Sequence, residues 1–233
     1  KLVQSEKLAV LGEMAACVAH EVRNPLSVIR SSAQLLIGKD QEKVAELVQF
    51  IQEEVSRLDG VVENFLRFSR PVKVSLAMED FNEVVEYASR VIDDKAGEKD
   101  VRVRMDFSPE MEKCELDREQ FRQLLMNLLL NAIDASPSGG TVTVSTYSET
   151  DWNIVTVSDE GPGIPSGVKD HLFEPFITTK REGTGLGLSI SQQISRAHKG
   201  ELEVKETGKH GTCFLIRVPR KGEIEHSGAD SRS

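Results

Sequence analysis

The side chain best suited to nucleophilic chemistry in this sequence is His20, in the run Ala19-His20-Glu21-Val22-Arg23-Asn24-Pro25-Leu26. A carboxylate directly after an imidazole can accept a hydrogen bond from one ring nitrogen and leave the other as a nucleophile, so Glu21 is the candidate acid/base partner. Asn24 lies one helical turn beyond His20 on the same face, where its amide could position a water or a phosphoryl group beside the ring. Pro25 removes a backbone donor and tends to bend a helix next to such a site. A single surface histidine carries little weight by itself; its weight here depends on the rest of the chain.

Asn127 and Asn131 stand four apart in Asn127-Leu128-Leu129-Leu130-Asn131-Ala132-Ile133-Asp134 and so share a helix face, opposite leucines that would be buried. Two amide oxygens on one face can ligate a hard cation, and Mg²⁺ takes oxygen ligands while bridging to substrate phosphates. A third run, Asp159-Glu160-Gly161-Pro162-Gly163-Ile164-Pro165, follows a predicted strand. A carboxylate at a strand end can accept the exocyclic amine of adenine, while Gly161 and Gly163 allow close backbone approach. The fourth, Gly183-Thr184-Gly185-Leu186-Gly187-Leu188, opens an apolar helix, and helix N-termini suit phosphate. Its spacing is neither a dinucleotide-binding fingerprint nor a Walker A loop. Between the last two runs lies Phe173-Glu174-Pro175-Phe176-Ile177-Thr178-Thr179-Lys180-Arg181, the composition of a mobile lid with Lys180 or Arg181 available to phosphates.

Two long helices must carry the first run. Leu8, Leu11, Ala15, Val18, Val22, Ile29 and Leu36 form a stripe at spacings of three and four, interrupted where Pro25 and Ser32 take stripe positions. The stripe predicts a helix from about residue 3 to 38 with His20 off the seam and facing solvent. Val44, Leu47, Ile51, Val55, Leu58, Val62 and Phe65 continue the period in a second helix to about residue 69. One hairpin has too little core to stand alone, so two are expected to pair as a dimeric four-helix bundle. Pro71 ends the second helix. Beyond it, helices are expected at Phe81 to Asp94, Asp117 to Asp134 and Leu186 to Ala197. Strands are expected at Val101 to Phe107, Thr141 to Thr146, Asn153 to Ser158, Leu202 to Lys205 and Thr212 to Val218. That order implies a mixed sheet covered on one face by helices. The expected domains are a helical hairpin at 1–70, a linker at 71–79, an α/β domain at 80–219 and a disordered tail at 220–233.

The 233 residues suffice for two small domains, and 39% hydrophobic with 29% charged residues is ordinary for a globular chain. A net charge of −9 opposes general binding to nucleic acid or anionic lipid. Cys17, Cys114 and Cys213 are far apart and read as reduced thiols, which points to the cytoplasm. The chain starts at Lys1, shows no signal peptide and has no apolar run of about 20 residues, so it reads as a fragment whose anchor, if any, lies elsewhere.

Taken in order, the runs at 20, 127 to 131, 159 to 163, 173 to 176 and 183 to 187 resemble the H, N, G1, F and G2 boxes of sensor histidine kinases. The resemblance spans roughly residues 5 to 218, and the short lid looks most like the nitrogen-regulation branch. It implies a dimerisation and phosphotransfer hairpin joined to an ATP-binding α/β sandwich of the GHKL (Bergerat) type shared with gyrase, Hsp90 chaperones and MutL. It also implies His20 as phosphoacceptor, Glu21 as its acid/base partner and Asn24 as the residue associated with dephosphorylating the partner protein. Asn131, supported by Asn127, would hold Mg²⁺, and Asp159 would bind adenine in a pocket shaped by Gly161 and Gly163. Gly183, Thr184, Gly185, Leu186 and Gly187 would form the phosphate loop, and Thr212 a polar position near the base. The implied partners are a second copy and the receiver domain of a response regulator. Many family members carry Lys or Arg where this chain has Asp134, which assigns a compensating role to Lys180 or Arg181. Two rival readings share this fold, an ATPase that drives conformational change and a non-catalytic dimeric nucleotide-binding module.

Overall fold

An apolar stripe without a hydrophobic opposite face makes a helix that must share its seam, and the first part of the chain has this character. In the computed structural model, described over residues 19, 22–37, 40–69, 71–180 and 184–220, helix α1 runs over 22–35 and α2 over Gln41–Ser69. Asp40 caps α2, its Oδ1 accepting the Lys43 N–H at 3.0 Å, and Pro71 follows the helix end. The only buried residue of α2 is Val61. The predicted stripe is half-buried at Val44, Leu47, Ile51, Leu58 and Phe65, and exposed at Val55 (44%) and Val62 (45%). The predicted first helix N-terminal to residue 19, with the Gly38-Lys39 break, lies outside the described residues.

The chain divides into two compact units, Lys1–Pro71 with Glu174–Gly187, and Val72–Phe173 with Leu188–Ser233. The second holds a five-stranded mixed sheet in the order β2-β4-β5-β7-β6, formed by Arg102–Phe107, Thr141–Glu149, Trp152–Ser158, Gly211–Pro219 and Glu201–Gly208 respectively. Only β2 and β4 pair in parallel; the other neighbours are antiparallel. Val142, Val144, Val155, Val157, Phe214, Ile216 and Val218 alternate along these strands onto one face. Helices α3 (Phe81–Val91) and α5 (Arg118–Ala135) contact this sheet, and Asn82 on α3 accepts from the Thr146 hydroxyl at 2.8 Å. Phe121, Leu124, Leu125, Leu128, Leu129, Ala132 and Ile133 form the buried stripe of α5.

Three differences from the sequence-based expectation are local. The helix expected from Phe81 to Asp94 breaks at Ile92, and α4 (Asp93–Glu98) begins with two acidic residues in its first turn, a composition that favours a fresh helix start. A two-stranded antiparallel sheet pairs β1 (Ala77–Glu79) with β3 (Cys114–Leu116). Each strand has three residues, too few for alternation to register. A single turn, α6 (Ser166–Lys169), follows the Gly163 loop, and α7 spans Gly187–Ala197. Among the described residues no helix is long and apolar enough to cross a membrane, and Cys114 and Cys213 are free thiols.

Candidate functional site

Asp159 follows the last residue of β5, where the backbone leaves the sheet and a side chain can turn from lattice partner to ligand. It is 8% exposed. Its Oδ1 accepts two backbone N–H groups, from Gly161 at 2.9 Å and from Thr212 at 3.1 Å. Burial lifts its pKa above the ordinary carboxylate range, and these two amides offset only part of that. With Oδ1 so occupied, Oδ2 is the atom suited to accept a hydrogen bond from a bound molecule.

The surrounding backbone is packed too tightly for side chains. Gly163 has φ +80°, and a Cβ there would lie 2.2 Å from the Gly208 carbonyl oxygen at the β6–β7 turn. A Cβ on Gly161 would lie 2.7 Å from the Ala135 carbonyl oxygen, so the Asp159 loop sits against the C-terminal end of α5. Thr212 on β7 is buried, and its amide and carbonyl both bond Asp159, the carbonyl accepting the Asp159 N–H at 2.9 Å. The cradle formed by Asp159, Gly161, Gly163 and Thr212 therefore brings together residues 53 apart in sequence.

On α5, Asn127, Asn131 and Asp134 occupy the face opposite the buried leucines, as the i, i+4, i+7 spacing requires. The Asn127 amide nitrogen donates to Ser191 Oγ on α7 at 3.3 Å. That bond orients the amide and makes its oxygen the atom with which Asn127 could meet a cation. Among the described residues no group of three or more His, Cys, Asp or Glu side chains is arranged to hold a metal ion. Amide oxygens completed by phosphates and water are a donor set that fits Mg²⁺. Asp134, standing where a base was expected, forms an ion pair with Lys99 at 2.7 Å.

The remaining predicted residues divide between described and undescribed positions. Asn24 is exposed on α1. His20, Glu21, Arg181 and Gly183 lie outside the described residues. In the segment Glu174–Gly187, the Phe176 N–H donates to the Gly185 carbonyl at 3.0 Å. Gly185 has φ +63°, and a Cβ on it would fall 2.4 Å from the Phe176 carbonyl carbon. Phe176 and Gly185 are thus drawn together. Thr184 Oγ1 accepts from the Leu186 N–H at 3.4 Å, Leu186 is fully buried, and Gly187 opens α7. Lys180 is exposed, with its N–H on Thr178 Oγ1 at 3.1 Å.

Comparison with known proteins finds two family matches along the chain. Residues 10–72 match the His Kinase A (phospho-acceptor) domain, and residues 116–222 match the histidine kinase-, DNA gyrase B- and HSP90-like ATPase. The catalytic domain of histidine kinase ThkA is 30% identical, with a TM-score of 0.57 over 64% of this chain and 99% of that one. The chain belongs to the histidine kinases. This histidine-kinase chain also resembles ThkA in complex with the response regulator protein TrrA, with a TM-score of 0.82, 29% identity and coverage of 95% of this chain and 65% of that one. The signal transduction histidine-protein kinase AtoS of Escherichia coli (strain K12) is 35% identical over 225 residues, which are 94% of this chain and 36% of AtoS. The chain thus spans well under half the length of that curated relative. The expected architecture, a helical hairpin followed by an α/β sandwich ATPase domain, is the one the kinase family shows.

Sequence reasoning missed three residues that brace the elements of this candidate site. Ser191 orients Asn127. His198 is 3% exposed just beyond α7; its Nε2 accepts the Asp117 N–H at 3.0 Å and its Nδ1 donates to the Ile194 carbonyl at 2.8 Å. Asp117 caps α5 by accepting from the Gln120 N–H at 3.1 Å and also accepts from the Ser75 N–H at 2.8 Å. Burial raises the Asp117 pKa, but the bonds from Ser75 and Gln120 and the neighbouring His198 outweigh it and hold the carboxyl below its ordinary value. The third is Thr207, whose hydroxyl accepts the Ile164 N–H at 2.8 Å. The cap was visible as an aspartate before an apolar run; the other links join residues distant in sequence.

Proposed function

We propose that this chain is the catalytic core of a two-component histidine kinase, which phosphorylates His20 from ATP and passes the phosphoryl group to an aspartate of a response-regulator receiver domain. The observation that carries the reading is the Asp159 cradle: a buried carboxylate with Oδ1 held by two backbone N–H groups and Oδ2 suited to an amine, the chemistry needed to receive adenine. Thr212 closes the base site. The Asn127–Asn131 face of α5 is assigned to Mg²⁺, which would offset charge on the phosphates. Gly183, Thr184, Gly185, Leu186 and Gly187 are assigned to the phosphate loop and Lys180 to a supporting cation.

In the proposed reaction a ring nitrogen of His20 attacks the γ-phosphorus, the bond from phosphorus to the ADP oxygen breaks, and Glu21 takes up the displaced ring proton. The phosphoryl group then moves from that nitrogen to a regulator carboxylate. Asn24, exposed on α1, is assigned to orienting water in the reverse, phosphatase, direction. The half-exposed stripe of α2, with Val55 at 44% and Val62 at 45%, supports a homodimer in which a second hairpin covers it. Residues 1–70 form the phosphotransfer hairpin and 80–219 the ATP-binding domain in this reading, with 71–79 between them, a cytoplasmic location, no nucleic-acid role and no membrane contact by this segment. An amide is no general base, so Asn127 weighs against the ATPase alternative.

The test is incubation with Mg²⁺ and γ-labelled ATP beside His20→Gln. Label that is acid-labile, alkali-stable and absent from the variant is the expected result; label that persists in the variant would refute His20. Lys180→Ala is expected to weaken ATP binding, and unchanged affinity and rate would remove Lys180 from the site.

A further inference from the structure

We propose that Thr207 is a positioning residue that sets the proton direction of the Thr212 hydroxyl and so helps the pocket choose a 6-aminopurine over a 6-oxopurine. The inference rests on the nucleotide-binding reading above and concerns a side chain that reading does not use.

Thr207 and Thr212 face each other across the β6–β7 pair, and their hydroxyl oxygens are 3.2 Å apart. Thr207 Oγ1 also accepts the Ile164 N–H at 2.8 Å. A backbone N–H can only donate, so one lone pair of Thr207 Oγ1 is permanently occupied, and an accepted hydrogen bond makes the hydroxyl a stronger donor in turn. The acceptor within reach of that proton is Thr212 Oγ1. Donation from Thr207 to Thr212 leaves the Thr212 proton for a further acceptor. The reverse arrangement would spend the Thr212 proton on Thr207 and leave no hydroxyl donor at Thr212 for a base.

Thr212 is held beside Asp159, since its own N–H bonds Asp159 Oδ1 at 3.1 Å. The pair then offers a carboxylate acceptor next to a hydroxyl donor. Adenine presents the complement, an amine donor beside a ring-nitrogen acceptor. On the edge that carries N1, a 6-oxopurine presents a carbonyl acceptor beside an N–H donor, which meets a carboxylate with an oxygen and asks Thr212 to reverse. Thr207, bound to the Gly163–Ile164 turn on one side and to Thr212 on the other, ties the loop that shapes the pocket to the hydroxyl that reads the base.

The experiment measures competition by ATP, inosine triphosphate, 1-deaza-ATP and 7-deaza-ATP against a fluorescent ATP analogue, on the wild-type chain, Thr207→Val and Thr207→Ser. Loss of one neutral hydrogen bond predicts about a tenfold change. Thr207→Val is expected to weaken ATP about tenfold while leaving inosine triphosphate nearly unchanged, and Thr207→Ser to keep the wild-type ratio. In the wild type, 1-deaza-ATP should bind about tenfold more weakly than ATP and more weakly than 7-deaza-ATP, which needs no variant to fold. Equal weakening of ATP and inosine triphosphate by Thr207→Val, or 1-deaza-ATP binding the wild type as tightly as ATP, overturns the proposal while leaving ATP binding intact. A wild-type chain that binds no ATP sinks the nucleotide reading and this inference with it.

Discussion

Asp159→Asn should separate stability from nucleotide binding. An asparagine oxygen can still accept from Gly161 and Thr212, the two bonds made by Asp159 Oδ1 at 2.9 and 3.1 Å, so the cradle keeps its shape. The atom replacing Oδ2 becomes an N–H donor, which in the proposed binding mode would oppose the donor amine of adenine. Losing a hydrogen bond to a charged group costs about 1.5–3 kcal/mol, and the opposed donors add to it, so ATP should bind roughly 100-fold more weakly. The empty protein should respond in the opposite sense. Burial lifts the Asp159 pKa in the folded chain, so the native state holds that proton more tightly than the unfolded state. The resulting stabilisation is present at low pH and is lost as pH rises through the folded pKa, leaving the ionised group a burden at neutral pH. The neutral variant should therefore melt no lower than wild type without ligand. At a ligand concentration 100 times the wild-type Kd, nucleotide stabilises the wild type by about 2.7 kcal/mol and the variant by about 0.4 kcal/mol. For a unit of this size the ligand-induced shifts in Tm are roughly 5–10 °C and 1–2 °C. Thermal melts with and without Mg-ATP read both. A variant that keeps the full ligand-induced shift, or whose empty form is destabilised by 2 kcal/mol or more, would refute the reasoning.

Gly163→Ala should cost about 2 kcal/mol or more and depress nucleotide binding, because φ is +80° and the new methyl would fall 2.2 Å from the Gly208 oxygen; urea titration with a binding assay checks both. His198→Ala strands the Asp117 N–H and leaves a void beside Phe121, whose ring centre is 5.8 Å from the imidazole, for a loss of about 2–4 kcal/mol in urea unfolding. Asp117→Ala should lose about 1–2 kcal/mol through its cap and its bond to Ser75. Since the folded Asp117 pKa is depressed, that contribution is full above the unfolded pKa and fades as pH falls through the folded one, so wild type and variant should converge in acid. Paired Val55→Asp and Val62→Asp substitutions should convert a dimer to monomer in light scattering; unchanged mass would remove the bundle assignment.

Where period and burial coincide, the fold was legible before the structure. The α5 leucines and the alternating valines of β4 need one buried face each, and their spacing satisfies a helix and a strand respectively. The same reading could place Asp159 at a strand end and Asn127 and Asn131 on one helix face. It could not supply the partners that fix them, because the distance from Asn127 to Ser191 or from Asp117 to His198 along the chain has no local signature. Nor could it foresee β1 and β3, since three-residue strands carrying Glu79 and Glu115 are held by pairing and not by propensity. The Asp134–Lys99 pair shows a further limit, as a charge read alone says nothing of the opposite charge folded against it.

The Phe176–Gly185 bond has a consequence for how this region can vary. It joins the two ends of the intervening segment at 3.0 Å, much as a drawstring closes a bag, so what lies between can be re-cut without moving its attachment. Loop closure becomes costlier only slowly with length, about 0.6 kcal/mol for each doubling. Grafting a longer or shorter stretch between Ile177 and Thr184 should therefore leave α7 and its first glycine in register. Replacing Gly185 should not, because a side chain there would lie 2.4 Å from the Phe176 backbone and force the knot itself open.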